Sequence, residues 1–145
     1  MKNDSNKLAK ELYEGWSMVD VAFRLRILPK LQSLGVSSAQ FEVLFALDHF
    51  GKKDVSVKDL AELSLKSSSA TTQLIAGLEK QNLVERKHSS SDRRVVYVTL
   101  TGAGAAKFKE MHQMITDIVS DTISNLSESE AKEYIRINNK IAENI

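Results

Sequence analysis

Ser67, Ser68 and Ser69 stand in a row, Thr72 and Gln73 follow closely, and Lys87, Asp92, Arg93 and Arg94 form a second polar cluster farther along the chain. Hydroxyls and an amide supply short hydrogen-bond donors and acceptors, while lysine and arginine supply cations suited to phosphate or carboxylate oxygens. Neither cluster pairs a nucleophile with a base. The chain contains no G-x-S-x-G, no P-loop, no dinucleotide fingerprint and no H-E-x-x-H, and its three histidines, His49, His88 and His112, are widely scattered. The absence of cysteine excludes disulfides, thiolate metal sites and thiol nucleophiles. The chemistry expected is therefore non-covalent recognition, with no enzymatic activity, no metal and no cofactor.

The 145 residues are 42% apolar and 27% charged with a single proline, the composition of one folded domain over residues 1–145 rather than a disordered chain. No apolar run approaches the roughly 20 residues that cross a bilayer, and Met1-Lys2-Asn3-Asp4-Ser5 leads into no signal-peptide core, so a cytoplasmic protein with no membrane partner is expected. Net charge is +1, but it is unevenly spread: residues 1–51 balance to zero, residues 52–101 carry +3 and residues 102–145 carry −2. An anionic partner is expected to meet the basic middle.

The elements that must position the two clusters are legible from periodicity and caps. Leu8, Leu12, Trp16, Val19, Phe23, Ile27, Leu31 and Leu34 recur at helical steps and predict a long first helix, with Pro29 near its end and Gly35 as its stop. Ser37 to Gln40 reads as a capping box opening a second helix that Gly51 ends, with residues 52–54 as a polar loop. Ser56 to Asp59 opens a short third helix, with Leu60, Ala61 and Leu63 or Leu65 as its buried side. A fourth helix follows the serines and buries Thr71, Leu74, Ile75 and Leu78, which leaves Ser69, Thr72, Gln73, Ala76 and Lys80 on the opposite face. Asn82 is suited to a left-handed stop. Two strands at 83–88 and 95–100 flank a polar tip. Thr101 caps a long fifth helix carrying Phe108, Met111, Ile115, Ile118, Thr122 and Leu126. Ser127 to Glu130 opens a sixth, with Tyr134, Ile137, Ile141 and Ile145 on one face.

The predicted order, α-α-α-α-β-β-α-α, is mostly α (α+β). It has the layout of a winged helix-turn-helix with a two-stranded wing over residues 37–101, flanked by dimerisation helices at 1–35 and 102–145. This layout suits double-stranded DNA, because a helix fills the major groove while a hairpin tip places arginine in an adjacent minor groove. Ser67, Ser68, Ser69, Thr72 and Gln73 become candidates for contact with base edges or phosphates. Arg86, Lys87, Arg93 and Arg94 surround the hairpin.

The run Leu78-Glu79-Lys80-Gln81-Asn82-Leu83-Val84-Glu85-Arg86, followed by Asp92-Arg93-Arg94-Val95-Val96-Tyr97-Val98-Thr99-Leu100-Thr101-Gly102-Ala103-Gly104, resembles the MarR family of bacterial transcriptional regulators. Its core is D-x-R, an alternating strand and L-T-x-x-G. The resemblance implies a homodimeric DNA-binding repressor, or less often an activator, that changes its DNA contact when a small-molecule effector binds. It assigns Arg94 to the minor groove, Asp92 to orienting the wing by pairing with a nearby arginine, and Arg93 and Lys87 to phosphate. Asn82 stands where the family usually has glycine. Gly77 lies where the family often has a long polar or basic side chain, so a DNA contact is expected to be missing there.

The terminal helices carry more apolar surface than a small winged helix covers, and pairing with a second copy would hide it. Trp16, Phe45 and Met111 are candidates for an effector cleft between these helices and the winged helix, although such residues at helical spacing more often belong to a core. The rival reading is a protein-interaction module that uses the same helices without DNA.

Overall fold

A computed structural model describes residues 2–51, 55–92 and 94–143. The expected loop at 52–54, Arg93 and Ile145 lie outside them. The elements are α1 (Lys2–Ser33), α2 (Ser38–Phe50), β1 (Val55–Ser56), α3 (Val57–Leu63), α4 (Ser68–Lys80), β2 (Val84–His88), β3 (Val96–Leu100), α5 (Gly102–Thr122) and α6 (Glu128–Ala142). The chain divides into two units, residues 1–112 and 113–145, with the boundary inside α5. No helix among the described residues is long and apolar enough to cross a membrane.

Short-range hydrogen bonds set the helix starts. Ser37, Ser56 and Ser127 each accept the backbone N–H three residues on, and Gln40, Asp59 and Glu130 return a bond to the cap backbone, so three capping boxes begin α2, α3 and α6. The α1 stop is a Schellman turn. Gly35 adopts φ 75°, Val36 N–H donates to Leu31 O at 3.1 Å and Gly35 N–H to Gln32 O at 2.9 Å. Pro29 lies inside α1. Along the α1 stripe, Leu8, Leu12, Trp16 and Val19 are exposed, Phe23, Ile27 and Leu34 are half-buried, and Leu31 is buried.

The core of the first unit joins Leu31 and Val36 to Val43, Leu44 and Leu47 of α2, Leu60 and Ala61 of α3, Ile75 and Leu78 of α4, Val84 and Val98 of the sheet, and Phe108 and Met111 of α5. Leu63 and Leu65 do not belong to it, which corrects the expected buried side of α3. The helix is only seven residues long and ends in a second Schellman turn: Lys66 N–H donates to Ala61 O and Leu65 N–H to Glu62 O. Leu65 occupies the left-handed position of that turn at φ 51°, which leaves its side chain 96% exposed.

The sheet has three strands in the order β1-β3-β2, all antiparallel, one more than the hairpin expected. Val55 and Ser56 pair with Val98 and Tyr97. In the hairpin, Val84 faces Leu100, Arg86 faces Val98 and His88 faces Val96. Side chains alternate along a strand, so Arg86 shares the inner face of β2 with buried Val84 and Lys87 takes the other face.

In the second unit, α6 buries none of its residues. Tyr134, Ile135 and Ile137 are exposed, as are Ile123 and Leu126 before it.

The junction of wing and α5 gives L-T-x-x-G a physical meaning. Asn82 turns the chain at φ 58°, Thr101 N–H donates to Leu83 O at 3.1 Å, and Thr101 Oγ1 donates to Asn82 O at 2.6 Å. The same hydroxyl accepts Gly104 N–H at 2.9 Å, so Thr101 caps α5 as its sequence position suggests. A Cβ on Gly104 would stand 1.8 Å from Leu83 O, whereas one on Gly102 would meet nothing within 4 Å. Gly104→Ala should lower the free energy of unfolding by about 3 kcal/mol, near the top of the range for overpacking, with Gly102→Ala within about 0.5 kcal/mol of wild type in urea titrations. Equal effects of the two would refute the close approach.

Leu65→Gly offers a test of opposite sign. The left-handed conformation costs a side-chain-bearing residue roughly 1–2 kcal/mol, and glycine gives back about half of that through unfolded-state entropy. A gain of about 0.5–1 kcal/mol is expected, read as a higher thermal midpoint; a lower midpoint would mean that the exposed leucine has a stabilising partner in solution.

Candidate nucleic-acid interface

Helix α4 presents its first turn outward. Ser67 is the N-cap, its Oγ accepting Ala70 N–H at 3.2 Å, so one of the three serines is committed to starting the helix. Ser68, Ser69, Thr72 and Gln73 are exposed on the turns that follow. Thr72 Oγ1 donates to Ser68 O at 2.7 Å, and the hydroxyl faces outward as an acceptor. The buried side consists of Thr71, Ile75 and Leu78, with Leu74 half-buried, as the periodicity predicts.

Gly77 is half-buried on α4, one turn after exposed Gln73. A Cβ there would stand 3.0 Å from Gln40 Nε2 of the α2 capping box, so a longer side chain at this position would have to displace that amide.

The wing tip holds its shape through main-chain bonds. Ser89 is buried, and its Oγ accepts Ser91 N–H at 3.2 Å and Asp92 N–H at 3.3 Å. Asp92 Oδ1 accepts the backbone N–H of Arg94 at 2.9 Å. The described orienting bond of Asp92 therefore goes to the main chain of Arg94, where a guanidinium was expected. Lys87 is exposed on the outer face of β2, and Arg93 falls outside the described residues.

Between α4 and the wing lies a groove of about 500 Å³ lined by Lys58, Ser68, Thr72, Arg86, His88 and Arg94, among others. Two sequence-distant candidates, the α4 first turn and Arg94, thus share one surface. Lys58 was not singled out from the sequence; the available signal was a basic residue in the first turn of a capped helix beside the helix-turn-helix. A hollow of about 450 Å³ on the other flank of α4 brings Gln73 near Ser37, Gln40 and Lys66. Lys66 pairs with Glu42 and so ties the turn before α4 to α2. In α3, the Ser56 hydroxyl, and then its backbone N–H, hold the Asp59 carboxyl below the usual carboxylate range.

The three effector-cleft candidates do not line one described hollow. Met111 is fully buried in the core, where its flexible side chain fills space between α5 and its neighbours, so it is corrected to a packing residue. Trp16 is exposed on α1. Phe45 lines an apolar groove of about 740 Å³ with Phe41, Phe50, Leu60, Leu63 and Leu65. It also stacks on His49 at 4.1 Å between ring centroids and lies 6.3 Å from Phe108.

A helix-turn-helix whose second helix shares a basic groove with a β-hairpin defines a winged-helix DNA-binding regulator. The MarR family model matches residues 34–95. The chain is 34% identical over 117 residues to the HTH-type transcriptional repressor MdtR of Bacillus subtilis, covering 81% of this chain and 74% of that one. The crystal structure of YusO from Bacillus subtilis superposes with a TM-score of 0.75 at 29% identity, covering 95% of this chain and 96% of that one. Wild-type MarR of E. coli in its apo form gives a TM-score of 0.79 at 25% identity, over 90% and 95% of the two chains. The chain belongs to the MarR family and is a DNA-binding transcriptional regulator.

Proposed function

We propose that this regulator is a cytoplasmic homodimeric repressor of a pseudopalindromic operator, in which each subunit sets α4 in the major groove and Arg94 in the adjacent minor groove. The observation that carries the reading is the shared groove, which brings Ser68 and Thr72 of α4 to the same surface as Arg94 of the wing. A narrow minor groove focuses negative potential and favours an inserted arginine. Gln73 is the α4 residue suited to paired contact with adenine, with Ser68, Ser69 and Thr72 as its neighbours at base edges or phosphates. Lys87 and Arg93 are assigned to phosphate, and Ser67 acts chiefly as the cap. The repressor assignment follows the relative MdtR, an HTH-type transcriptional repressor. Binding without turnover is the activity proposed, and a small-molecule effector that weakens DNA contact is part of the reading, with exposed Trp16 and half-exposed Phe45 as candidate contacts.

Dimerisation is supported by the exposed N-terminal half of the α1 stripe and, separately, by the unburied apolar face of α6. A two-fold pair would set its recognition helices about 34 Å apart, one helical turn of DNA. Light scattering should return twice the chain mass, and Leu12→Glu should shift it toward the monomer while circular dichroism stays unchanged. A wild-type monomer that binds an inverted repeat tightly would sink the symmetric arrangement.

The wing and the helix are expected to contribute different kinds of energy. Arg94→Ala should weaken binding by roughly 1–3 kcal/mol per subunit and flatten the dependence of log affinity on log salt by about one unit for each charge removed. Gln73→Ala carries no charge change, so the salt slope should persist while discrimination against a substituted operator shrinks by about 1–3 kcal/mol at the contacted pair. Fluorescence anisotropy across a salt series reads both. An Arg94→Ala dimer that is folded, with unchanged affinity and slope, would remove the wing from the DNA contact and put the protein-interaction reading ahead.

A further inference from the structure

Arg86 is a basic residue of the hairpin whose charge is answered inside the protein. Its Nη2 donates to Thr72 O at 3.1 Å, and its Nε lies 3.5 Å from Glu79 Oε2, both on α4. Helix carbonyls point toward the C-terminus and side chains tilt toward the N-terminus, so a carbonyl at 72 and a carboxylate at 79 converge on one patch of the helix. The inner face of β2 delivers the guanidinium to that patch because Arg86 alternates with buried Val84 and stands opposite buried Val98. The Arg86 side chain is 30% exposed and the Glu79 side chain 39%, so the pair sits in a partly screened seam between helix and wing.

We propose that Arg86 is a positioning residue for DNA binding: it fixes the wing against α4, so that Arg94 reaches the minor groove in the same placement in which α4 reads the major groove. The proposal rests on the assignment of Arg94 and α4 to DNA made above. A planar guanidinium can address an acceptor on each of two edges at once, which an ammonium on a flexible stem does poorly. Holding the wing at its bound angle before DNA arrives removes an ordering cost from the Arg94 contact. Arg86 thus acts through Arg94 and not on a phosphate of its own.

The test uses the full-length protein and a duplex recovered by the wild type from a random-sequence library, with affinity measured across a salt series for Arg86→Ala, Arg86→Lys, Arg94→Ala and the double variant Arg86→Ala/Arg94→Ala. Arg86→Ala is expected to weaken binding about 10-fold with the salt slope unchanged. Arg94→Ala should weaken binding and flatten the slope, and adding Arg86→Ala to it should cost no more than about 2-fold further, because a wing without its arginine has nothing left to position. Arg86→Lys should fail to rescue, since it restores charge but not the fork, and it carries the test if Arg86→Ala unfolds. Rescue by lysine together with a slope that falls in Arg86→Ala would make Arg86 a phosphate contact and overturn the proposal. Independent, multiplying losses from the two alanines would overturn it as well while leaving the DNA role of Arg94 intact. An Arg94→Ala protein that binds like wild type would remove the wing reading, and this proposal with it.

Discussion

The backbone junction at Leu83 is the constraint on which the winged unit depends. One carbonyl, Leu83 O, receives Thr101 N–H and leaves no room for a Cβ on Gly104. Asn82 reverses the chain after α4, and Thr101 both closes the far end of β3 onto that reversal and starts α5. Four residues on two segments therefore decide where α4 ends, where the hairpin begins and in which direction α5 leaves. The sheet register follows, because Val84 opposite Leu100 is the first pair beyond the junction.

From that closed base the wing projects as a hairpin with two separate jobs on its two faces. Inward-facing Val84 and Arg86 attach it to the body, the first by burial and the second by polar contacts with α4. Outward-facing Lys87 is exposed, as are Ser90, Ser91, Asp92 and Arg94 of the tip. The basic middle of the chain is thus partly internal: Arg86 and Lys66 answer Glu79 and Glu42, whereas no partner is described for the Arg94 guanidinium. Net charge per segment overstates what a DNA surface can use when part of it is consumed in seams of this kind.

Interactions spanning three or four residues were legible in the sequence. The capping boxes at Ser37, Ser56 and Ser127, the glycine stop at Gly35, the asparagine turn at Asn82 and the Thr101 cap are all local, and side-chain chemistry names them. The winged-helix layout was legible in the order of the elements, and the family resemblance added the role expected of Arg94. What escaped depends on partners distant in the chain or on segments too short to show a period. Strand β1 is two residues and exists only because β3 offers it an edge. Helix α3 is so short that Leu63 and Leu65 could be placed on either side, and the left-handed turn decided the outcome. Arg86 read as one more basic residue of the hairpin because Thr72 is fourteen positions away, and Met111 read as a cleft residue because burial is not written in residue type.

The wing tip is shaped by oxygen atoms of Ser89 and Asp92 that accept main-chain N–H groups, including the one belonging to Arg94 itself. Any residue with an N–H would satisfy that bond, so the loop's architecture does not depend on which side chain stands at position 94. Shape and chemistry at the tip are consequently inherited separately. Over descent, such a loop can exchange the group it offers to a partner without first passing through a misfolded ancestor, and a lineage of regulators can diverge in what it touches while the scaffold beneath stays the same.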